Sequence, residues 1–156
     1  MNGENRLVQT LKEKKLTIST AESLTAGMVA STIVKVPGAS AVFKGGFITY
    51  ASSAKIGILG IPEEIINTKG VVSADCAKAM AEAACRLAET DIAVATTGNA
   101  GPDTLEYKPV GRVYVAVCAN GVTTYKEYTF SGDRESIRRQ TTNAAIRECE
   151  NRIAAL

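Results

Sequence analysis

Ser23 lies in the segment Ser19-Thr20-Ala21-Glu22-Ser23-Leu24-Thr25-Ala26-Gly27, where a β-prone run through Leu16 and Ile18 gives way to a helical pattern opening at about Thr25. A strand-to-helix turn presents a hydroxyl at a sheet edge beside the unpaired N–H groups of a helix N-terminus, which hold a developing oxyanion or a phosphate. The serine is therefore either a helix cap or a nucleophile. A nucleophile needs a base, and the chain contains no histidine. Ser-His-Asp triads, Cys-His dyads and histidine-ligated metal sites are thereby excluded. The remaining bases are a carboxylate, a deprotonated tyrosine, or a lysine whose pKa is depressed by burial. Lys55 is the best placed, between Ala54 and the apolar Ile56-Gly57-Ile58-Leu59, and Tyr50, five residues earlier, could relay a proton or donate to the reacting oxygen.

Each of these residues also has a plainer reading: Ser23 as a cap, Lys55 as a solvated surface residue, Tyr50 as a half-buried strand residue. Ser52-Ser53-Ala54-Lys55 matches the short S-x-x-K pattern of some acyl-transfer enzymes, which makes Ser52 a rival nucleophile. Glu22 reads as a buried orienting carboxylate or as a turn residue. Gly98 and Gly101, in a tight turn after an apolar run, let backbone N–H groups approach a phosphate or oxyanion closely. Arg134 and Arg138 stand near the start of the last helical pattern, where cations oppose the helix dipole. Either an anionic ligand or pairing with Asp133 or Glu135 resolves that conflict.

The elements that must position these residues follow from periodicity. Asn5 to Lys15 reads as an amphipathic helix and Leu16 to Thr20 as a short strand; the helix from Thr25 stops before Pro37-Gly38. Phe43 to Tyr50 is a strand with a bulge or close approach at Gly45-Gly46. Ser52 or Ser53 caps a short helix, and Pro62 opens another. Ser73 to Glu89 is a helix with a small-residue face suited to packing on a sheet, and Asp91 to Thr97 is a strand apolar enough to be buried on both sides. Val110 to Cys118 and Val122 to Phe130 form a hairpin about Asn120-Gly121, and a final helix begins near Asp133. The order predicts an α/β fold, a three-layer α/β/α sandwich with a mixed, mostly parallel sheet. Ligands of such sheets bind beyond the strand C-termini, so the loops Thr20–Thr25, around Tyr50 and Thr97–Pro102 are expected to share a pocket.

With 156 residues the chain is expected to form one domain over residues 1–156. A net charge of +2 is too small for a nucleic-acid footprint, and no apolar run approaches the roughly 20 residues that span a bilayer. The polar first ten residues carry no secretory signal, so a cytoplasmic location with reduced thiols is expected for Cys76, Cys85, Cys118 and Cys149. Homo-oligomerisation is expected, because a hairpin edge such as Val122 to Phe130 can pair with another chain.

Seven segments, in order, resemble the CinA C-terminal-domain (competence/damage-inducible) family: TAESLTAG at Thr20–Gly27, VPGAS at Val36–Ser40, GGFITYASSAKIGILGI at Gly45–Ile61, GVVS at Gly70–Ser73, TGNAGPD at Thr97–Asp103, KPVGRVYVA at Lys108–Ala116 and FSGDRESIR at Phe130–Arg138. The resemblance implies an amidohydrolase that deamidates nicotinamide mononucleotide to nicotinic acid mononucleotide and ammonia. Ser23 would be its nucleophile, Lys55 its base and Tyr50 an assistant, and Ser52 falls where the family usually has asparagine. Thr25, Gly27, Gly46, Thr97, Gly98, Asn99, Gly101, Arg134 and Arg138 are the implied substrate-binding positions, with no cofactor and no metal. The alternative is a non-catalytic nucleotide-binding or regulatory module. The chain departs from the family pattern at Leu24 and Ala26 in A-E-S-C-T-G-G, at Asn99 in G-I-A-G-P, and at Thr104-Leu105-Glu106-Tyr107, which replaces a glycine-rich stretch.

Overall fold

A computed structural model describes residues 1–156. The chain runs α1 (Gly3–Lys14), β1 (Ile18–Glu22), α2 (Met28–Val34), β2 (Phe43–Ile48), α3 (Ser52–Gly57), α4 (Glu63–Lys69), α5 (Ala74–Ala88), β3 (Ile92–Gly98), β4 (Arg112–Ala119), β5 (Val122–Thr129) and α6 (Arg134–Ala154). One sheet carries them all, in the order β2-β1-β3-β4-β5. β1 pairs parallel with both β2 and β3, while β4 is antiparallel to both β3 and β5. Four strands therefore point one way and only β4 opposes them, as the expected mixed, mostly parallel sheet requires.

Alternation along the strands splits the core in two. Ile18, Ile92, Val94, Val113, Val115 and Val117 meet α1, α2 and α6 on one face, through Leu7, Leu11, Ile33, Ile137 and Ile153. The other face is paved with Ala21, Ala93, Ala95 and Ala116, and α5 lays Ala77, Ala81 and Ala84 against it. Small side chains on both surfaces let this helix sit close to the sheet, so each lost methyl there opens a void that neighbours cannot fill.

Ser73 caps α5 by accepting from the Cys76 N–H at 3.1 Å, and Glu89 ends it in the left-handed conformation. Asn120 and Gly121 take φ of 53° and 73°, the paired positive values of a type I′ hairpin. The β2 register shifts between Phe43 and Gly45, and a Cβ on Gly46 would come within 2.4 Å of Thr20 Oγ1. The three buried thiols Cys76, Cys118 and Cys149 and the half-buried Cys85 are all free.

Three local expectations need correction. α2 begins at Met28 rather than Thr25, because Ala26 and Gly27 adopt φ of 44° and 98° and interpose a turn. β2 stops at Ile48, because the next two carbonyls turn away from the sheet toward Lys55. α3 is preceded by Ala51, with no side-chain cap from Ser52 or Ser53.

Candidate active site

The three loops at the C-terminal ends of β1, β2 and β3 converge, since those strands are parallel neighbours. They enclose a pocket of about 320 Å³ lined by Ser23, Leu24, Tyr50, Lys55, Val71, Val72, the run Thr97–Leu105 and Arg134. That volume suits a small organic ligand.

Lys55 is 1% exposed on the one-and-a-half-turn helix α3. Its Nζ lies 3.0 Å from Ser23 Oγ, 2.7 Å from the Thr49 carbonyl and 3.0 Å from the Tyr50 carbonyl. Burial pushes its pKa down, opposed by the nearby Cys76 and Glu106. A protonated amine has three donors and fills all three contacts. In the neutral amine the two carbonyls take its two N–H groups, and the lone pair is left facing Ser23 Oγ–H. Ser23 and Lys55 therefore form a buried hydrogen-bonded pair in the pocket wall. Ser52 is exposed and outside the pocket, so it is no rival.

Tyr50 contributes differently from expectation. Its carbonyl holds Lys55, while its side chain is 59% exposed and its hydroxyl accepts from Arg134 at 2.9 Å, with no hydrogen bond to Ser23 or Lys55. Arg134 also donates to the Gly101 carbonyl at 2.6 Å and lines the pocket. Arg138 instead clamps the Ser23 turn, donating to the carbonyls of Leu24 (2.8 Å) and Thr25 (3.3 Å), and it lies outside the pocket. Neither arginine pairs with Asp133 or Glu135; Arg139 takes Glu135.

Of the other expected binding positions, Thr97, Gly98, Asn99 and Gly101 line the pocket. Thr97 ties its hydroxyl to the Val71 carbonyl at 2.7 Å. Gly98 admits no Cβ, which would sit 2.6 Å from the Arg112 carbonyl. The Asn99 amide is turned into the following loop, donating to the carbonyls of Leu105 and Lys108 and accepting from the Leu105 N–H. Thr25, Gly27 and Gly46 are not in the wall. Thr25 and Gly27 serve the turn itself, and Gly46 serves the close packing of β2 on β1.

The helix amides expected to face an anion are already taken. The N–H groups of Gly27, Val29 and Ala30 all donate to the buried Glu22 carboxylate. Leu24 N–H, next to Ser23 in the pocket wall, makes no hydrogen bond within the protein. Sequence reasoning missed the opposite wall. Glu106 accepts from the N–H groups of Val71 (2.7 Å) and Val72 (3.0 Å), and Lys108 Nζ donates to the Val72 carbonyl. No periodicity or spacing marks Glu106, because its role depends on contacts more than thirty residues away.

The family model for the CinA C-terminal domain matches residues 2–153. The chain is 48% identical over 141 residues, 89% of its length, to a CinA-like protein of Dictyoglomus turgidum, and 46% identical over 132 residues to a competence-damage inducible protein of Clostridium perfringens. It spans about a third of the length of these curated relatives, 34% and 32%. A CinA superfamily protein from Klebsiella pneumoniae superposes with a TM-score of 0.96 at 28% identity, each chain covered completely. The competence/damage inducible protein CihA of Agrobacterium tumefaciens gives 0.86 at 35% identity, with 95% of this chain and 94% of that one covered. By these matches the chain belongs to the CinA C-terminal domain family.

Proposed function

We propose that this chain is a serine amidohydrolase that converts nicotinamide mononucleotide to nicotinic acid mononucleotide and ammonia. The observation that carries the reading is the contact between Lys55 Nζ and Ser23 Oγ at 3.0 Å, with both residues lining one pocket. The substrate comes from the family resemblance. Arg134, the only arginine in the wall, supplies a cation for the 5′-phosphate.

The reaction divides into two steps. Ser23 Oγ attacks the carboxamide carbon as Lys55 takes its proton, and the oxyanion forms beside the Leu24 N–H. Lys55 then gives the proton to the departing amine, which leaves as ammonia with an ester on Ser23. Water attacks the ester, again with Lys55 as base, and the carboxylic acid is released.

The test is ammonia release from the mononucleotide by the purified protein beside its Ser23→Ala variant. Release by the wild type alone is expected. Equal release by both would remove Ser23 from the mechanism. A mononucleotide that raises the melting temperature without ammonia release would identify a binding module instead.

A further inference from the structure

Glu22 and Ser23 are neighbours in sequence that face opposite sides of the sheet, as alternation at a strand end requires. Ser23 meets Lys55, while the Glu22 side chain, 1% exposed, enters the turn below α2. Its Oε1 accepts from Thr25 Oγ1 (2.7 Å) and from the N–H groups of Gly27 (3.1 Å) and Val29 (2.9 Å), and its Oε2 from Ala30 N–H (3.0 Å). A carboxylate has no proton to give, so the Thr25 hydroxyl must be the donor to it. Thr25 therefore accepts from Thr96 Oγ1 at 2.8 Å, and the Thr96 carbonyl accepts from Ser23 N–H at 3.1 Å. These bonds close a ring from Glu22 through Thr25 and Thr96 back to the nucleophile's own backbone.

The main chain of Glu22 extends the same control to the base. Its carbonyl accepts from Thr49 N–H at 2.9 Å, and the Thr49 carbonyl is the shortest partner of Lys55 Nζ. One residue thus fixes the turn that presents Ser23 and the strand end that holds Lys55.

We propose that Glu22 is a positioning residue for the Ser23–Lys55 pair: its charged carboxylate gathers four donors and sets the separation of nucleophile and base. This rests on the reading of Ser23 as a nucleophile activated by Lys55, and it is independent of which amide is hydrolysed. In Glu22→Gln the side-chain amide has one acceptor oxygen. Its NH2 then faces either Ala30 N–H or the three donors gathered at Oε1, and the turn must move.

The experiment measures the rate at which phenylmethylsulfonyl fluoride sulfonylates Ser23, followed by mass spectrometry, alongside kcat and KM for the mononucleotide. Glu22→Gln and Thr25→Val are expected to slow labelling and kcat by about 100-fold, the scale of a misplacement near 1 Å, with KM little changed. Thr25→Ser keeps the hydroxyl and is expected to retain wild-type labelling. Ile153→Ala, about 28 Å along α6 from Arg134, lowers the melting temperature without touching the ring and serves as the control for lost stability. Glu22→Gln labelled at the wild-type rate would overturn the inference. So would slowing by Ile153→Ala equal to that of Glu22→Gln. A wild type that is labelled at Ser23 yet releases no ammonia would refute the substrate while the labelling series still decides the role of Glu22. No labelling of Ser23 in the wild type would overturn the nucleophile and, with it, this inference.

Discussion

Replacing Lys55 with methionine separates catalysis from folding at one position. Methionine fills much of the buried volume but offers no base. General-base catalysis contributes typically about 100- to 10,000-fold, or about 2.7 to 5.5 kcal/mol of barrier, and a loss of that size in kcat is expected. Stability changes through two opposing contributions. The Thr49 and Tyr50 carbonyls lose their donor, at about 1–3 kcal/mol each where water cannot reach them. Opposing this, the variant no longer buries an ammonium. The pH dependence identifies that second contribution. Burial holds the native Lys55 pKa below its ordinary value of 10.5, so between the two values the unfolded chain binds more protons and wild-type stability rises with pH. The penalty of burying the charge is complete below the native pKa and gone above 10.5. Lys55→Met should therefore compare best with the wild type near neutrality and lose ground as pH climbs toward that value. Urea melts of both proteins at pH 7 and pH 10, with ammonia release assayed in parallel, read both quantities. A variant keeping more than about a tenth of wild-type kcat would refute Lys55 as base. A stability difference independent of pH would refute its desolvation.

Two further outcomes probe the pocket wall. Asn99→Ala removes three hydrogen bonds that staple residues 99 to 108. A stability loss of about 3 kcal/mol is expected by urea denaturation, with KM rising more than kcat falls; an unchanged KM would show that the wall does not depend on this staple. Glu106→Gln takes away a negative charge that raises the Lys55 pKa. The free-amine base then forms at lower pH, so the acidic limb of kcat/KM should move down in pH, and a shift upward would contradict the assigned sign.

Much of the frame was legible because it rests on local rules. The run Asp91–Thr97 is apolar without a break, and β3 is buried along nearly all of its length. Asn120-Gly121 demanded a tight hairpin and made one, and the helix expected over Ser73 to Glu89 is α5, Ala74–Ala88. The convergence of three loops followed from parallel neighbours. What escaped the sequence was the partner of each polar side chain. Lys55 resembles any surface lysine until α3 is placed against the ends of β1 and β2. Arg134 and Arg138 have equal standing by spacing, yet one reaches the Gly101 carbonyl in the pocket and the other, a turn further along α6, the carbonyls of Leu24 and Thr25. Helix-opening periodicity at Thr25 concealed a turn with two left-handed residues, whose geometry Glu22 enforces from the strand before it.

The order of the strands has a consequence for how this chain acquires its chemistry. Ser23 and Lys55 are 32 residues apart, the bond between Arg134 and Tyr50 spans 84, and Arg138 reaches Leu24 across 114. Contacts of such separation close large loops and carry a higher entropic cost of closure than local ones. The clamp on the Ser23 turn belongs to α6, which follows all five strands in the chain. During synthesis the sheet's first strands emerge long before α6, so a nascent chain carries Ser23 before the arginine that ties its turn. The conformation of the Ser23 turn therefore depends on two elements far apart in the chain, β1 and α6.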